Sequence, residues 1–290
     1  MKLSKIFQLA LAAAIVVAAA VVVFDGGVAG KEKTITILHT NDTHSQIFPI
    51  AADKGRWAGF GGYAKRAYLI DGIRAEGHGV LLFDSGDFSQ GTPYFNFFKG
   101  NIEVDAMGLM DYDAVTLGNH EFDNGVEELA RRVDRAEFPV LSANYDFSGS
   151  AMEGKTLPFK MFDVKGVKVG AFGLTINTRG MVDAANARGA VYKDPVACAQ
   201  WAADTLRALG ADVVVALTHL GERSTPFYIG DDSLAAKTSG IDLILGGHSH
   251  TDGISTVRNK EGGEVTIVQQ ASQGRLLGRV DITVKKKKKE

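Results

Sequence analysis

Short apolar runs rich in β-branched residues alternate with helix-like stretches along this chain, and five of the runs end in a burst of polar side chains. The runs are "TITILHT" (34–40), "GVLLFD" (79–84), "DAVTL" (113–117), "DVVVALT" (212–218) and "IDLILGG" (241–247). Helical patterns over 61–77, 125–136 and about 194–209 separate them, so the order predicts an α/β domain with a largely parallel sheet. "MFDVKGVKVGAFGLT" (161–175) reads as a hairpin turning at Lys165-Gly166. The last runs, "EVTIVQQ" (264–270) and "GRVDITV" (278–284), have few helices between them and predict a mixed second sheet. In open α/β sheets ligands bind just beyond the carboxyl ends of the strands, so the polar endings bear on chemistry as well as fold.

Those endings carry Asp42 and His44; Asp84 and Asp87; Asn119, His120 and Asp123; His219; and His248 and His250. Five of the seven histidines stand there, and only His39 and His78 do not. Each motif alone is weak, because a lone histidine after a strand is more often a hydrogen-bonded structural residue. Five in succession at one end of the strands are hard to explain by packing. Imidazole, carboxylate and carboxamide donors without thiolate suit Zn, Mn, Fe or Co. Six or seven such donors exceed the four of a structural zinc site. They point to two divalent ions sharing a bridging carboxylate, the arrangement used for phosphate-ester hydrolysis.

Composition bounds the rest. A chain of 290 residues, 45% hydrophobic and 23% charged, can bury a core without cross-links. Residues 1–30 stand apart: a basic start, an apolar run from Ile6 to Phe24, then small residues to Gly30. This pattern predicts a signal peptide or an N-terminal membrane anchor, and hence a periplasmic or secreted protein. The single cysteine, Cys198, lies in a helical, apolar stretch and reads as a packed residue rather than a nucleophile. Setting aside residues 1–30 and the lysine-rich tail 285–290 changes the net charge from −2 to −7, leaving an acidic body that argues against a nucleic-acid polymer as partner. The tail reads as a solvated end, with attraction to an anionic membrane or partner as its alternative.

"ITILHTNDTHS" (35–45) and "YDAVTLGNHEFD" (112–123) resemble the two signature segments of the 5′-nucleotidase family within the calcineurin-like metallophosphoesterases. "FDSGDFSQGT", "THLG" and "GGHSH" are similar to its remaining blocks, and the likeness runs from about 34 to 284. The resemblance implies a four-layer α/β/β/α sandwich over residues 31–284 that hydrolyses small phosphate esters, nucleotides first among them. It implies that Asp42 and His44 hold the first metal, with His250 completing that site at a position where some members carry glutamine or asparagine. Asp87 would bridge both ions, and Asn119, His219 and His248 would complete the second site. His120 would stabilise the reacting phosphate or protonate the leaving oxygen, oriented by Asp123. Asp84 departs from the ligand pattern and reads as structural, Glu121 as a support for its loop, and Asn124 as the cap of the next helix.

Two-domain members carry a second domain of comparable size, with the aromatic clamp and arginines that select the nucleotide. The likeness here covers only the catalytic domain. Phe88, Tyr94, Phe95, Phe97 and Phe98 are candidates for the site mouth or for a hydrophobic patch. Arg179, Arg223 and Arg275 are candidates for phosphate contact, surface ion pairs being the alternative. Two rival functions remain open at this stage: hydrolysis of UDP-sugars, cyclic nucleotides or other small esters on the same ligands, and a subunit that needs a separate nucleotide-recognition chain.

Overall fold

The computed structural model describes residues 17–26 and 32–286, with side chains over 32–284. In chain order the strands are β1 (Val17–Gly26), β2 (Lys33–Thr40), β3 (Gly79–Asp84), β4 (Ala114–Thr116), β5 (Val140–Leu141), β6 (Tyr145–Asp146), β7 (Phe159–Val164), β8 (Val167–Thr175), β9 (Val191–Tyr192), β10 (Val213–His219), β11 (Leu243–Leu245), β12 (Asp252–Arg258), β13 (Glu264–Gln270) and β14 (Leu277–Lys286). The helices are α1 (Tyr63–Arg74), α2 (Pro93–Phe98), α3 (Asn101–Leu109), α4 (Val126–Arg135), α5 (Pro195–Ala208) and α6 (Asp231–Lys237).

Two six-stranded sheets form, ordered β1-β14-β2-β3-β4-β5 and β12-β13-β11-β10-β8-β7, with β6 and β9 as a separate ribbon. Strands β2 to β5 run parallel, as do β8, β10, β11 and β13. The period-two alternation of strand side chains, with both faces covered, explains why these strands are apolar almost throughout. Ile35, Ile37, Leu81 and Phe83 of the first sheet meet Val213, Val215, Leu217, Leu243 and Leu245 of the second in a shared buried core. Their neighbours Leu38, Leu82 and Val115 point outward against α1, α3 and α4. On the far side Val214, Ala216 and Ile244 pack under α5 and α6. The result is the four-layer α/β/β/α sandwich.

The β7–β8 hairpin turns at Lys165 and Gly166, both with positive φ (53° and 76°), the geometry a two-residue hairpin loop needs. Other expectations need correction. The strand over 278–284 does not join the second sheet: as β14 it crosses to the first and pairs antiparallel with β2. Its apolar face, Val280, Ile282 and Val284, fills the inter-sheet core from that side. The cap of α4 is Gly125 (φ 88°), not Asn124, because the chain enters that helix through a backbone conformation that favours glycine. Helices α2, α3 and α6 and strand β12 add to the elements read from sequence; Pro93 at the first turn of α2 is the signal that points to the first of them. Within the expected leader or anchor, Val17–Gly26 lies parallel to β14 as an edge strand, and the other residues up to 31 lie outside the described residues, as do 287–290 of the tail. Among the described residues no helix is long and apolar enough to cross a membrane. Cys198 is half-buried on α5, and burial pushes its thiol pKa up.

Candidate metal centre

The carboxyl ends of β2, β3 and β4 and those of β10 and β11 converge on one rim of the sandwich. Ser85, just after β3, stitches the two sheets together there: its Oγ donates to Leu245 O at 2.7 Å, and its carbonyl accepts from His219 Nδ1 at 2.7 Å. A carbonyl can only accept, so His219 holds a proton on Nδ1 and turns Nε2 inward. That Nε2 is buried, lacks a hydrogen-bond partner, and lies 3.0 Å from Asp87 Oδ2.

The candidate residues fall into three overlapping groups, Asp42–His44–His250, His44–Asp87–His120 and Asp87–His219–His248. Within each, the donor atoms lie within 4.8 Å of one another. Asp87 belongs to two of the groups, next to both His44 and His219. His248 Nδ1 lies 3.0 Å from Asn119 Oδ1, which brings Asn119 to the same end. His44 Nε2 and His250 Nε2 face each other at 3.0 Å, and His250 Nε2 is 3.2 Å from Asp42 Oδ1. Two imidazole nitrogens at that separation require a proton or a cation between them. An orphaned Nε2 on buried His219 makes the same demand at the other end. The residues therefore fit divalent ions on the chemistry of their donors and on their unsatisfied atoms.

The backbone supports this reading. Asp42 (φ 48°), His44 (48°), Asp87 (53°), His248 (77°) and His250 (55°) are all left-handed, a region side-chain-bearing residues rarely adopt. Such conformations cost of order 1–2 kcal/mol per residue and cluster where geometry is functional. Glycine makes room for the donors: a Cβ at Gly118 would lie 2.1 Å from Asp87 Oδ1, and one at Gly247 would lie 2.8 Å from His219 Nδ1.

Electrostatics follow from the packing. Burial opposes ionisation of Asp87, yet His219, His120 and His44 together hold its carboxyl well below the usual carboxylate range. Burial likewise opposes a cation on His219, but Asp87 and Asp42 raise its pKa to about 10. The carboxylates that hold a proton there equally favour a metal cation. His248 goes the other way, to about 4, through burial and then the charge of His219. His120 stands at the edge. Its Nδ1 donates to Asp123 Oδ2 at 2.7 Å and its backbone N–H to Asp87 Oδ1 at 2.8 Å. Burial works against its charge, but the Asp123 hydrogen bond and Asp87 raise its pKa to about 9.

The residues that brace the donors are only partly legible in the sequence. Asp84 accepts from Thr40 Oγ1 and Gly86 N, which holds the loop after β3. Glu121 is fully buried and accepts the backbone N–H groups of Asp87, Ser89 and Gly118. Sequence reasoning misses Asn41, whose Nδ2 donates to Asp42 Oδ2 at 2.7 Å, and buried Arg132, which donates to Ser89 Oγ and Glu121 O. It also misses the loop after β13, where Gln273 N donates to Asp42 O at 2.6 Å. Asn41, within "HTNDTH", stands beside a candidate ligand and could have been found as its polar neighbour; Gln273 gives no signal. The expected aromatic group divides: Phe88 and Phe95 are core residues, whereas Phe97 and Phe98 are exposed. Arg223 is exposed beside Glu222, Arg179 is exposed, and Arg275 is half-buried.

Comparison with known proteins agrees in extent. Residues 35–252 match the family described as calcineurin-like phosphoesterase. A snake venom 5′-nucleotidase of Crotalus adamanteus is 36% identical over 277 residues, covering 88% of this chain and 46% of that protein. The human 5′-nucleotidase is 36% identical over 225 residues, covering 75% of this chain and 38% of its own length. In structure, a 5′-nucleotidase precursor from Thermus thermophilus superposes with a TM-score of 0.79 at 35% identity, over 86% of this chain and 51% of that one. The chain thus spans about half the length of the relatives it matches, the half that in this molecule carries the donor cluster. By sequence match over most of its length and by fold, the chain belongs to the calcineurin-like phosphoesterase family.

Proposed function

We propose that this protein is a metal-dependent phosphoesterase that hydrolyses 5′-nucleotides. The observation that carries the reading is the run of three overlapping donor groups, linked through His44 and Asp87, with Asp123 bonded to His120 at the edge. Asp42, His44 and His250 would hold one divalent ion and Asn119, His219 and His248 the other, with Asp87 between them. The chemistry such ions supply is neutralisation of phosphate charge and a water nucleophile at neutral pH. The chain's own residues do the rest. Asp123 holds one proton on His120 Nδ1 and, with Asp87, favours the imidazolium, so the proton on Nε2 is available for the leaving oxygen. Glu121, through three backbone N–H groups, keeps the Asp87 and Gly118 loops in register as charge moves. Nucleotides are favoured because the named relatives are 5′-nucleotidases.

Export is part of the proposal: the apolar run 6–24 supports it, as does a relative from venom. Because the relatives are about twice as long, a further domain or separate chain would take part in choosing the nucleoside. The test is turnover of the purified chain on a panel of nucleoside monophosphates, UDP-sugars, cyclic nucleotides and aryl phosphates, with and without Mn²⁺ or Zn²⁺. Metal-dependent release of phosphate from nucleoside monophosphates above the rest is the expected result. A preference for UDP-sugars or cyclic nucleotides would overturn the substrate assignment, and inactivity with metal would overturn the enzyme assignment for the isolated chain.

A further inference from the structure

The edge of the sandwich carries a cleft of about 550 Å³ that none of the metal-donor residues lines. Ser142, which follows β5, and Pro158, which precedes β7, place it where both sheets end. One wall belongs to the β6–β9 ribbon and the loop after β6, with Tyr145 and Phe147; the other belongs to α5, with Cys198 and Trp201. These walls are braced. Tyr145 donates its hydroxyl to Ile176 O at 2.8 Å and stacks on Phe147, ring centres 5.9 Å apart. Both rings lie against Phe122, at 5.5 and 6.4 Å. Trp201 leans on Phe159 at 5.7 Å and still leaves half of its surface exposed. Aromatic walls held in this way are a preformed surface for a flat ring.

The charges that line the cleft are answered within it. Lys193 Nζ pairs with Asp146 Oδ2 at 3.0 Å, and Glu153, open to solvent, accepts from Gly149 N at 2.9 Å. The hydroxyl of Ser142 is not answered. Ser142 is 5% exposed and its backbone N–H donates to Leu157 O at 2.8 Å, but its Oγ is buried with no hydrogen-bond partner. Leaving a buried hydroxyl open costs free energy that a ligand with an acceptor regains. A charged ligand would give up its hydration and find no open counter-charge there. The complement of the cleft is therefore a flat, uncharged ring system with a hydrogen-bond acceptor.

We propose that this cleft binds an uncharged heteroaromatic molecule of one or two rings, stacked on Trp201 and accepting a hydrogen bond from Ser142 Oγ. The site is separate from the metal centre and does not rest on the phosphoesterase reading. It performs no chemical step. Through Tyr145 and Phe147 it borders Phe122, in the turn that carries His120.

The test uses quinoline and naphthalene, which share a shape and differ by a ring nitrogen that accepts a hydrogen bond, at slightly alkaline pH where quinoline is uncharged. Occupancy is read on the full chain by protection of Cys198, its single cysteine, from iodoacetamide, followed by intact mass. In the unaltered protein both probes protect, and quinoline binds roughly fivefold more tightly, the scale of one neutral hydrogen bond. Ser142→Ala removes that preference and leaves naphthalene within about twofold. Trp201→Ala weakens both probes about tenfold. No protection by either probe would overturn the site and leave the cleft as a surface for solvent or a larger partner. Equal affinity of the two probes in the unaltered protein would overturn the Ser142 contact, water then satisfying that hydroxyl. That comparison needs no variant, so a folding defect in Ser142→Ala can neither mimic nor hide it. Protection unchanged by Trp201→Ala would put the probes elsewhere on the surface and overturn the proposal as well.

Discussion

The two halves of the donor cluster are built to different standards. Around Asp87, His219 and His248 the structure closes in: His219 is fully buried, its tautomer is set by Ser85 O, and Asp87 is 2% exposed. On the other side Asp42 and His44 are buried too, and the structure opens at His250 alone, whose side chain is 45% exposed. Asp42 is densely hydrogen-bonded on that side, by Asn41, Gln273 and the His248 backbone N–H. Burial and hydrogen bonds from surrounding residues orient a ligand before the ion arrives, which raises affinity. Exposure leaves the ligand free to move with substrate. The two positions thus differ chiefly at His250, and Asp87 lies beside both, next to His44 of one and His219 of the other.

The largest effect should therefore come from Asp87. Asp87→Ala removes the carboxylate common to two donor groups and leaves like charges facing each other. Metal content should fall below one ion per chain in elemental analysis after reconstitution. With several kcal/mol of charge stabilisation lost, turnover should drop roughly 10⁴-fold. Retention of two ions by this variant would break the comparison at its root, since no shared residue would then be needed.

How much of this contrast is legible in the sequence depends on the kind of information. Strand–helix alternation and the polar endings place Asp42, Asp87, Asn119, His219 and His248 at one rim, because side chains past strand ends are set by the local chain. The resemblance supplies the partners of each as expectations, and the fold and family now stand on the structure and the comparisons. What stays hidden depends on distant segments. The crossing of β14 into the first sheet joins residues more than 230 positions apart, and no local pattern encodes that. The open and closed character of the two halves is likewise tertiary: His248 and His250 are two residues apart in "GGHSH", yet one lies against Asn119 and the other reaches solvent. Asn124 fails for the opposite reason, a good local cap displaced by a glycine whose positive φ the loop requires.

The next effect belongs to His120, at the seam between the halves. His120→Ala should keep two ions and lose about 10³-fold in turnover on nucleoside monophosphates, within the span of general acid catalysis. Aryl phosphates, whose leaving oxygen needs less help, should lose less. Loss of metal in this variant would make His120 a ligand and add it to the cluster. An equal loss on aryl and alkyl esters would leave phosphate stabilisation as its role.

Asp123→Asn acts through His120 and should cost roughly 10- to 100-fold, the usual scale for removing the partner of a functional histidine. Its signature is in the pH profile. Asp123 raises the His120 pKa, to about 9 in the chain itself, and the acid form is the active one, so turnover falls as pH rises through that value. Bound cations would pull the limb lower. In the variant the limb should move to lower pH still, whereas a purely structural loss would scale the whole profile and leave its shape unchanged.

The smallest effect tests the open half directly. His250 lies beside Asp42 and His44 but is the most exposed of the donors, so His250→Gln keeps a neutral donor there and removes only the imidazole. Closed-side affinity should stay as it was. The open-side ion should bind about tenfold more weakly, the low end of what a changed ligand environment costs. A chelator titration of the unaltered protein should then show two steps, with activity lost in the first. In the variant that first step alone should move to lower chelator concentration, and excess Mn²⁺ should restore turnover to within a few-fold. The closed half would meanwhile hold its ion unchanged, because Ser85 O and Asn119 still orient His219 and His248. A single step, or a shift of both, would mean that the two positions behave as one unit and that the difference in burial does not translate into a difference in affinity.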